Sequence, residues 1–182
     1  HLYDADGNKY LDAYNNVASV GHCNPRVIEA VTRQMSELNT HTRYLHGGIL
    51  DYSEQLLATF PSEISSIMYT CTGSEANDLA VRVAEQYSGG TGVIVTEEAY
   101  HGNSALISAM SPSLGVGVPL GTNVRTVPAP DSYRIDPAVL GTWFADQISA
   151  AIADLERHGH KFSALLLDSI FSSDGIYVDP SV

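Results

Sequence analysis

The chain has 182 residues, 44% of them hydrophobic, which allows one domain with a sizeable core. Its net charge is -12 and its nine Lys and Arg residues form no basic cluster, which argues against nucleic acid as the main partner. No apolar run is long enough to span a bilayer, so we expect no membrane partner. The two cysteines form no CxxC pair, and we expect a reducing, cytoplasmic location.

The first third of the sequence predicts a hairpin followed by two helices. Residues 2–12 read as two short strands around an Asp-Gly turn. A helix is predicted over residues 23–39, with Asn24 as its N-cap and Pro25 as its first residue. Apolar residues recur through this segment at helical spacing. A second helix is predicted over residues 48–60.

The rest of the chain alternates between strand and helix patterns. Strands are predicted at 65–71, 92–97, 123–129 and 163–168, and helices at 74–87, 104–110 and 137–159. This alternation predicts an α/β fold with a mostly parallel sheet and flanking helices, preceded by the hairpin and the first helix. The Gly- and Pro-rich residues 111–122 are interpreted as a surface loop or a loop that covers a site.

The junction between a strand and its helix, TCTGSEAN (residues 70–77), carries the strongest functional signal. Thr72 and Glu75 have the spacing of a capping box, so the helix is expected to begin near Gly73. This end of a strand is where open α/β sheets bind ligands, and the free N–H groups of a helix N-terminus suit a phosphate. Gly73 would let a phosphate approach the backbone, and Ser74 would add a hydroxyl donor. Plain helix capping is the alternative explanation.

The helix predicted after the junction has an apolar stripe, and the junction itself lacks the common nucleotide-binding motifs. Six residues of the helix form one apolar stripe, namely Ala76, Leu79, Ala80, Val83, Ala84 and Tyr87. The junction matches neither GxxxxGK[ST] nor GxGxxG, so a nucleotide is less favoured than a small phosphorylated cofactor.

A second loop, EEAYHGN (residues 97–103), follows the next predicted strand and should emerge at the same edge of the sheet. Tyr100 and His101 would then lie beside the proposed phosphate site, and Gly102 permits a tight turn. An aromatic face suits a flat heteroaromatic ring, although a tyrosine packed under its own loop is an equal alternative. A flat ring that carries a phosphate describes pyridoxal phosphate.

Three motifs in this order, LYDADGNKYLDAYNNVASVGHCNPRVIEAV, TGSEANDLAVR and AYHGN, resemble the class III pyridoxal-phosphate-dependent aminotransferases of fold type I. NNVASVGHCNP, LNTHTRYLH and PAPDSYR are most similar to the subgroup of ethanolamine-phosphate phospho-lyases and related aminotransferases. The resemblance covers essentially the whole chain. It implies an N-terminal segment (1–47) and the first part of the cofactor-binding large domain (48–182). It also implies a homodimer.

The resemblance implies roles for four residues of the junction and the second loop. Gly73 and Ser74 match the positions that hold the cofactor phosphate. Tyr100 matches the aromatic residue that stacks on the pyridine ring, with His101 beside it.

Two further positions follow from the same resemblance. Asp168 matches the family's usual Glu on the hydroxyl side of the cofactor, and His46 matches a position that often faces the substrate. Because Asp168 is not Glu and DSIFSSDG lacks the second Glu of ornithine-type members, an ornithine-like or 4-aminobutyrate-like substrate is not favoured.

The implied reaction transfers an amino group from an amine or amino acid to an oxo acid. Elimination of phosphate from a phosphorylated amine and a non-catalytic piece are the alternatives. The family's Schiff-base lysine lies beyond this segment, and neither Lys9 nor Lys161 matches its position, so we expect the segment to be inactive alone. The RHGH stretch at 157–160 lacks further ligands, so no metal site is expected.

Overall fold

The computed structural model describes residues 1–14, 18–41 and 43–179, which divide into two units, His1–Ile67 and Met68–Val182. Three residues of the NNVASVGHCNP motif and one of LNTHTRYLH lie outside the described residues. The family resemblance implies a different boundary, between residues 47 and 48, which separates two domains of the longer enzymes. That boundary stays a prediction.

The first unit contains the predicted hairpin and helices. Its elements are β1 (Leu2–Tyr3), β2 (Lys9–Tyr10), α1 (Pro25–Glu37) and α2 (Gly47–Leu57). The strands are antiparallel, and the Asn24 side chain caps α1 by accepting backbone N–H groups, as predicted. The apolar residues of α1 have the predicted spacing but are exposed, as Val31 (50%) and Met35 (62%) illustrate. Among the described residues, the buried hydrophobic ones all lie in the second unit.

The second unit is built on a parallel sheet. Its elements are α3 (Gly73–Ser88), β3 (Gly92–Thr96), α4 (Ala105–Ser108), β4 (Val124–Val127), α5 (Pro137–Arg157) and β5 (Phe162–Leu165), with a 3₁₀ turn at Pro112–Leu114. The strand order is β4-β3-β5, and β3 pairs in parallel with both neighbours. The predicted α/β class with a mostly parallel sheet is therefore confirmed.

The central strand, β3, separates two layers of helices. Successive side chains of a strand point to opposite faces, so Val93 and Val95 face one side and Ile94 the other. Val93 and Val95 pack in one cluster with Ile107 of α4, and Ile94 packs in the other with Leu155 of α5. All five side chains are 0% exposed. The carboxyl end of β3 is thereby fixed between the helix layers.

The strand predicted at residues 65–71 does not form. The segment belongs to neither sheet, and Met68 within it is 68% exposed. A strand needs a neighbour for its N–H and C=O groups, and β3, β4 and β5 pair only with one another. The composition of the segment favours extended backbone, but composition does not reveal whether a partner strand lies alongside.

The apolar stripe predicted for α3 is not the face that packs on the sheet. Val83 is 50% exposed and Tyr87 93% exposed, whereas Val81 is 2% exposed. Val81 lies on the same face as Asn77 and Ser74, three and four residues apart, and these two polar residues bond to the second loop. The buried face of α3 therefore includes polar side chains in its first turns. A search for apolar residues alone could not identify this face.

Asp154, near the end of α5, links that helix to β4. Its carboxylate accepts a hydrogen bond from Arg125 Nε at 2.5 Å and another from Arg157. His158 Nδ1 lies 3.4 Å from the same carboxylate. The hydrogen bonds from Arg125 and Arg157 hold the pKa of Asp154 at about 2, below its usual value of 3.8.

We expect the stability that Asp154 contributes to depend on pH in one direction. Because its pKa is lowered in the folded chain, the contribution is complete above the usual value of 3.8 and is lost as the pH falls towards about 2. Asp154→Asn should therefore lower the urea midpoint at about pH 6, and the difference from wild type should shrink at about pH 3. Asp146→Asn, on the exposed side of α5, is the control. A difference that stays constant between the two pH values would contradict this prediction.

Candidate functional site

The junction forms a capped helix start with unused N–H groups. Thr72 Oγ1 accepts the Glu75 N–H at 3.1 Å, which confirms the predicted cap. The Glu75 carboxylate accepts the Cys71 N–H at 2.8 Å. In a standard capping box it would accept the N–H of the N-cap residue itself, here Thr72. Among the described residues, none accepts a hydrogen bond from the N–H of Gly73 or Ser74. These two donors are available to an anion.

The junction and the second loop lie side by side, as predicted, although the strand expected before the junction does not form. Ser74 Oγ donates to Asn103 Oδ1 at 3.2 Å and accepts the Asn103 N–H at 3.2 Å. Asn77 Nδ2 donates to the backbone oxygen of His101 at 2.7 Å. Three hydrogen bonds therefore hold the start of α3 against the second loop.

The two glycines at this contact differ in whether the fold requires glycine at their position. Gly102 has a φ of +139°, and a Cβ there would lie 2.6 Å from Ser74 Oγ and 2.9 Å from Ser74 Cα. Only glycine permits this conformation and this approach. At Gly73, a Cβ would meet nothing within 4 Å. The fold of the described residues does not require glycine at position 73, and its backbone faces open space that a ligand can enter.

The second loop presents one exposed ring and one buried ring. Tyr100 is 49% exposed, whereas His101 is 8% exposed. The backbone N–H of His101 donates to Ser111 Oγ at 3.0 Å, but its buried Nε2 has no hydrogen-bond partner among the described residues. Burial lowers the pKa of His101, and the carboxylates of Asp168 and Asp174 oppose that effect.

Asp168 lies close enough to influence His101, but its carboxylate is used by its own turn. It accepts the N–H of Ile170 at 2.9 Å, the N–H of Ser172 at 3.0 Å and the Ser172 hydroxyl. Burial raises the pKa of Asp168, but these hydrogen bonds and His101 lower it, and the net pKa lies below its ordinary value. The role expected for Asp168 on the hydroxyl side of a cofactor stays a prediction.

His46 lies in the first unit, at the N-cap position of α2. Its Nε2 lies 3.1 Å from the Gln34 side-chain nitrogen, and its Nδ1 is buried without a partner among the described residues. The substrate-facing role expected for His46 stays a prediction.

Sequence reasoning missed two residues at this edge of the sheet. Ser111, 0% exposed, accepts the His101 N–H, and its hydroxyl lies within hydrogen-bond distance of two backbone oxygens. Asp174 accepts hydrogen bonds from the Thr96 hydroxyl and the Glu98 N–H. The only sequence signal for Asp174 was its position before a glycine, which is common to many turns. Ser111 lay in the Gly- and Pro-rich segment that was interpreted as a surface loop or a loop that covers a site.

The arrangement of these residues indicates what kind of ligand this edge of the sheet can bind. At the carboxyl end of the central strand, the loop that carries the exposed Tyr100 and the buried His101 is bonded to a helix start with free N–H donors. This donor set fits a ligand that has both an anionic group and a flat ring. Among the described residues, no cluster of three or more His, Cys, Asp or Glu could hold a metal. None of the described helices has the length and apolarity that a membrane crossing requires.

The chain belongs to the class-III aminotransferase family, whose pattern matches residues 1–181. It is 31% identical, over 99% of its length, to ethanolamine-phosphate phospho-lyase homolog 1 of Caenorhabditis elegans, and 31% identical, over 100%, to an alanine–glyoxylate aminotransferase 2-like protein of Drosophila melanogaster. A solved phospholyase from Arthrobacter, in complex with phosphoethanolamine, matches 97% of the chain at 42% identity with a TM-score of 0.85.

These matches confirm the family resemblance and the fold class, part of the large domain of a fold-type-I transferase. The chain covers 42% of the Caenorhabditis elegans protein, 39% of the Drosophila melanogaster protein and 42% of the Arthrobacter phospholyase. It therefore spans about two fifths of the length of these relatives.

Proposed function

We propose that this chain is part of a pyridoxal 5′-phosphate-dependent enzyme that transfers an amino group from an amine or amino acid to an oxo acid. The observation that carries the proposal is the contact between the junction and the second loop through Ser74 and Asn103. It holds a helix start with two unused N–H donors against the loop that carries Tyr100 and His101. Membership of the class-III aminotransferase family supports the same cofactor.

The phosphate would be held at the start of α3. The N–H groups of Gly73 and Ser74 are donors, and the helix dipole favours an anion there. The Ser74 hydroxyl would donate to the phosphate in exchange for its bond to Asn103 Oδ1. The open space at Gly73 allows the phosphate to reach the backbone. No lysine or arginine is needed for this part of the site, since the donors are backbone and hydroxyl groups.

The ring would be held by the second loop. Tyr100 offers a half-exposed aromatic face for stacking, and His101 offers a buried Nε2 without a protein partner. Because burial lowers the pKa of His101, the imidazole is neutral near pH 7 and carries one ring proton. When bound, the cofactor supplies an electron-withdrawing ring for the reaction, while these residues bind it, orient it and exclude water from one face.

A second candidate function is elimination of phosphate from a phosphorylated amine. The observation that favours it is the 42% identity with the Arthrobacter phospholyase. The two functions can be distinguished by assaying a polypeptide that contains this chain and has the length of its relatives. Phosphate release from phosphoethanolamine without an oxo acid would favour elimination, whereas amino transfer that requires an oxo acid would favour the first proposal. The homodimer and the cytoplasmic location stay predictions.

The cofactor site itself can be tested with the chain by calorimetric titration with pyridoxamine 5′-phosphate. This probe has no aldehyde, so it does not react with Lys9 or Lys161. Ser74→Ala should weaken its binding about tenfold, because a hydrogen bond to a charged group is lost. Ser149→Ala, a similar change on the exposed side of α5, is the control and should bind as wild type does. Equal affinity of the Ser74 variant and wild type would contradict the proposed site.

A further inference from the structure

The turn at residues 168–177 is linked to the end of β3 by one carboxylate. Asp174 Oδ2 accepts the Thr96 hydroxyl at 2.7 Å, and its Oδ1 accepts the Glu98 N–H at 3.0 Å. Thr96 is the last residue of β3 and is 1% exposed, so the first bond lies in the interior. Glu98 is the second residue of the second loop, two residues before Tyr100. Asp174 therefore joins segments that are 76 and 78 residues apart in sequence.

The same turn is fixed on its other side by packing and backbone bonds. The Phe171 carbonyl accepts the N–H groups of Asp174, Gly175 and Ile176 at 3.0–3.1 Å. The Phe171 ring is 7% exposed and packs edge-on against Phe144 of α5, with centroids 6.0 Å apart. The turn therefore presents the Asp174 carboxylate to β3 from a position set by the core.

The carboxylate also contributes to the charge around the buried imidazole. Asp168 and Asp174 are the two acidic groups that raise the pKa of His101 against the effect of burial. On another side, Asp174 borders a cavity of about 370 Å³ whose charged lining residues are Glu97, Glu98, Asp131 and Arg134.

We propose that Asp174 is a positioning residue of the cofactor site, which holds the loop of Tyr100 and His101 against the turn that carries Asp168. The role rests on the proposed function, although the link between the two segments does not. Hydrogen bonds to an ionised acceptor are stronger than those to a neutral one, so the charge of Asp174 contributes to the link. The carboxylate is expected to set both the position of the second loop and the electrostatics at His101.

The test uses two variants of the chain that remove different parts of the link. Asp174→Asn keeps the shape of the side chain and removes its charge. Thr96→Val keeps the charge and removes one donor, so it remains informative if Asp174→Asn does not fold. Asp146→Asn is the matched charge control on α5. Three measurements are made: the pKa of His101 by NMR without cofactor, hydrogen exchange of the Glu98 amide, and calorimetric affinity for pyridoxamine 5′-phosphate.

We expect Asp174→Asn to lower the pKa of His101, since an opposing negative charge is removed. Exchange of the Glu98 amide should become on the order of tenfold faster, because its acceptor loses its charge. Binding of pyridoxamine 5′-phosphate should weaken about fivefold through the displaced loop. Thr96→Val should accelerate Glu98 exchange and weaken binding while the pKa of His101 stays nearer to that of wild type.

Two results would overturn the proposal, and they are distinguishable. If a wild-type chain binds the probe but Asp174→Asn leaves the His101 pKa, Glu98 exchange and affinity unchanged, the positioning role alone is wrong. When Asp174→Asn does not fold, unchanged exchange and affinity in Thr96→Val lead to the same conclusion. If the wild-type chain does not bind the probe, the proposed cofactor site fails and the positioning role fails with it.

Discussion

Replacing Gly102 with alanine is expected to lower the free energy of unfolding by about 3 kcal/mol, because strain and overpacking act together. The added Cβ would lie 2.6 Å from Ser74 Oγ, and the φ of +139° strains any residue with a side chain. The neighbouring atoms belong to α3, which cannot move without disturbing its packing on the sheet. Urea denaturation of the chain measures this effect.

Gly73→Ala is the matched control for this prediction. A Cβ at position 73 meets nothing within 4 Å, so its stability should stay within about 1 kcal/mol of wild type. It should nevertheless weaken binding of pyridoxamine 5′-phosphate, because the methyl group occupies the space through which a phosphate would approach. Gly102→Ala thus acts through the fold, and Gly73→Ala acts through the ligand. Equal stability losses in the two variants would contradict the structural reasons assigned to these glycines.

Ser111→Ala is expected to cost about 2 kcal/mol of stability, since it leaves buried polar groups without their partner. The Ser111 hydroxyl is 0% exposed and accepts the His101 N–H at 3.0 Å. Without it, hydrogen exchange of the His101 amide should accelerate together with the loss of stability. Urea denaturation and amide exchange by NMR measure the two effects.

Ser108→Ala provides the comparison for Ser111, because Ser108 is the last residue of α4 and lies only three residues before Ser111. The Ser108 hydroxyl makes only a 3.4 Å contact with the Ala105 backbone oxygen. Its loss should change stability by less than about 0.5 kcal/mol. Similar losses in both variants would mean that the burial of Ser111 has no particular importance for the second loop.

The local features of the site could be predicted from sequence because short-range rules determine them. The cap at Thr72 and Glu75 follows from residues three apart, and the second loop follows a strand of the parallel sheet, as predicted. Gly102 was expected in a turn, and the structure adds its close approach to Ser74. The capping pattern therefore predicted the start of α3, whereas its contact with the second loop is made by the side chains of Ser74, Asn77 and Asn103.

The remaining features depend on contacts between distant segments. The link from Asp174 to Thr96 and Glu98 spans more than seventy residues, and no periodicity of the sequence encodes it. The apolar stripe of α3 did not reveal the face that packs, because the polar contact of Ser74 with the second loop lies on that face. The unformed strand at 65–71 failed for the same reason, since strand formation depends on a neighbour.

The exposed apolar residues of α1 have a related explanation. Val31 and Met35 keep the spacing of a packed helix, yet both are at least half exposed. Apolar spacing predicts a helix from local geometry, but burial requires a second surface. The spacing was therefore sufficient to predict α1 and insufficient to predict its packing.

The most direct test of the central claim is a titration of the ¹⁵N-labelled chain with pyridoxamine 5′-phosphate, followed by amide NMR. The claim is that the start of α3 and the second loop form one site for a phosphate and a flat ring. The amides of Gly73 and Ser74 should shift together with those of Tyr100 and Asn103, with one common dissociation constant. Shifts confined to one of the two loops, or to the first unit, or absent at saturating probe, would contradict the claim.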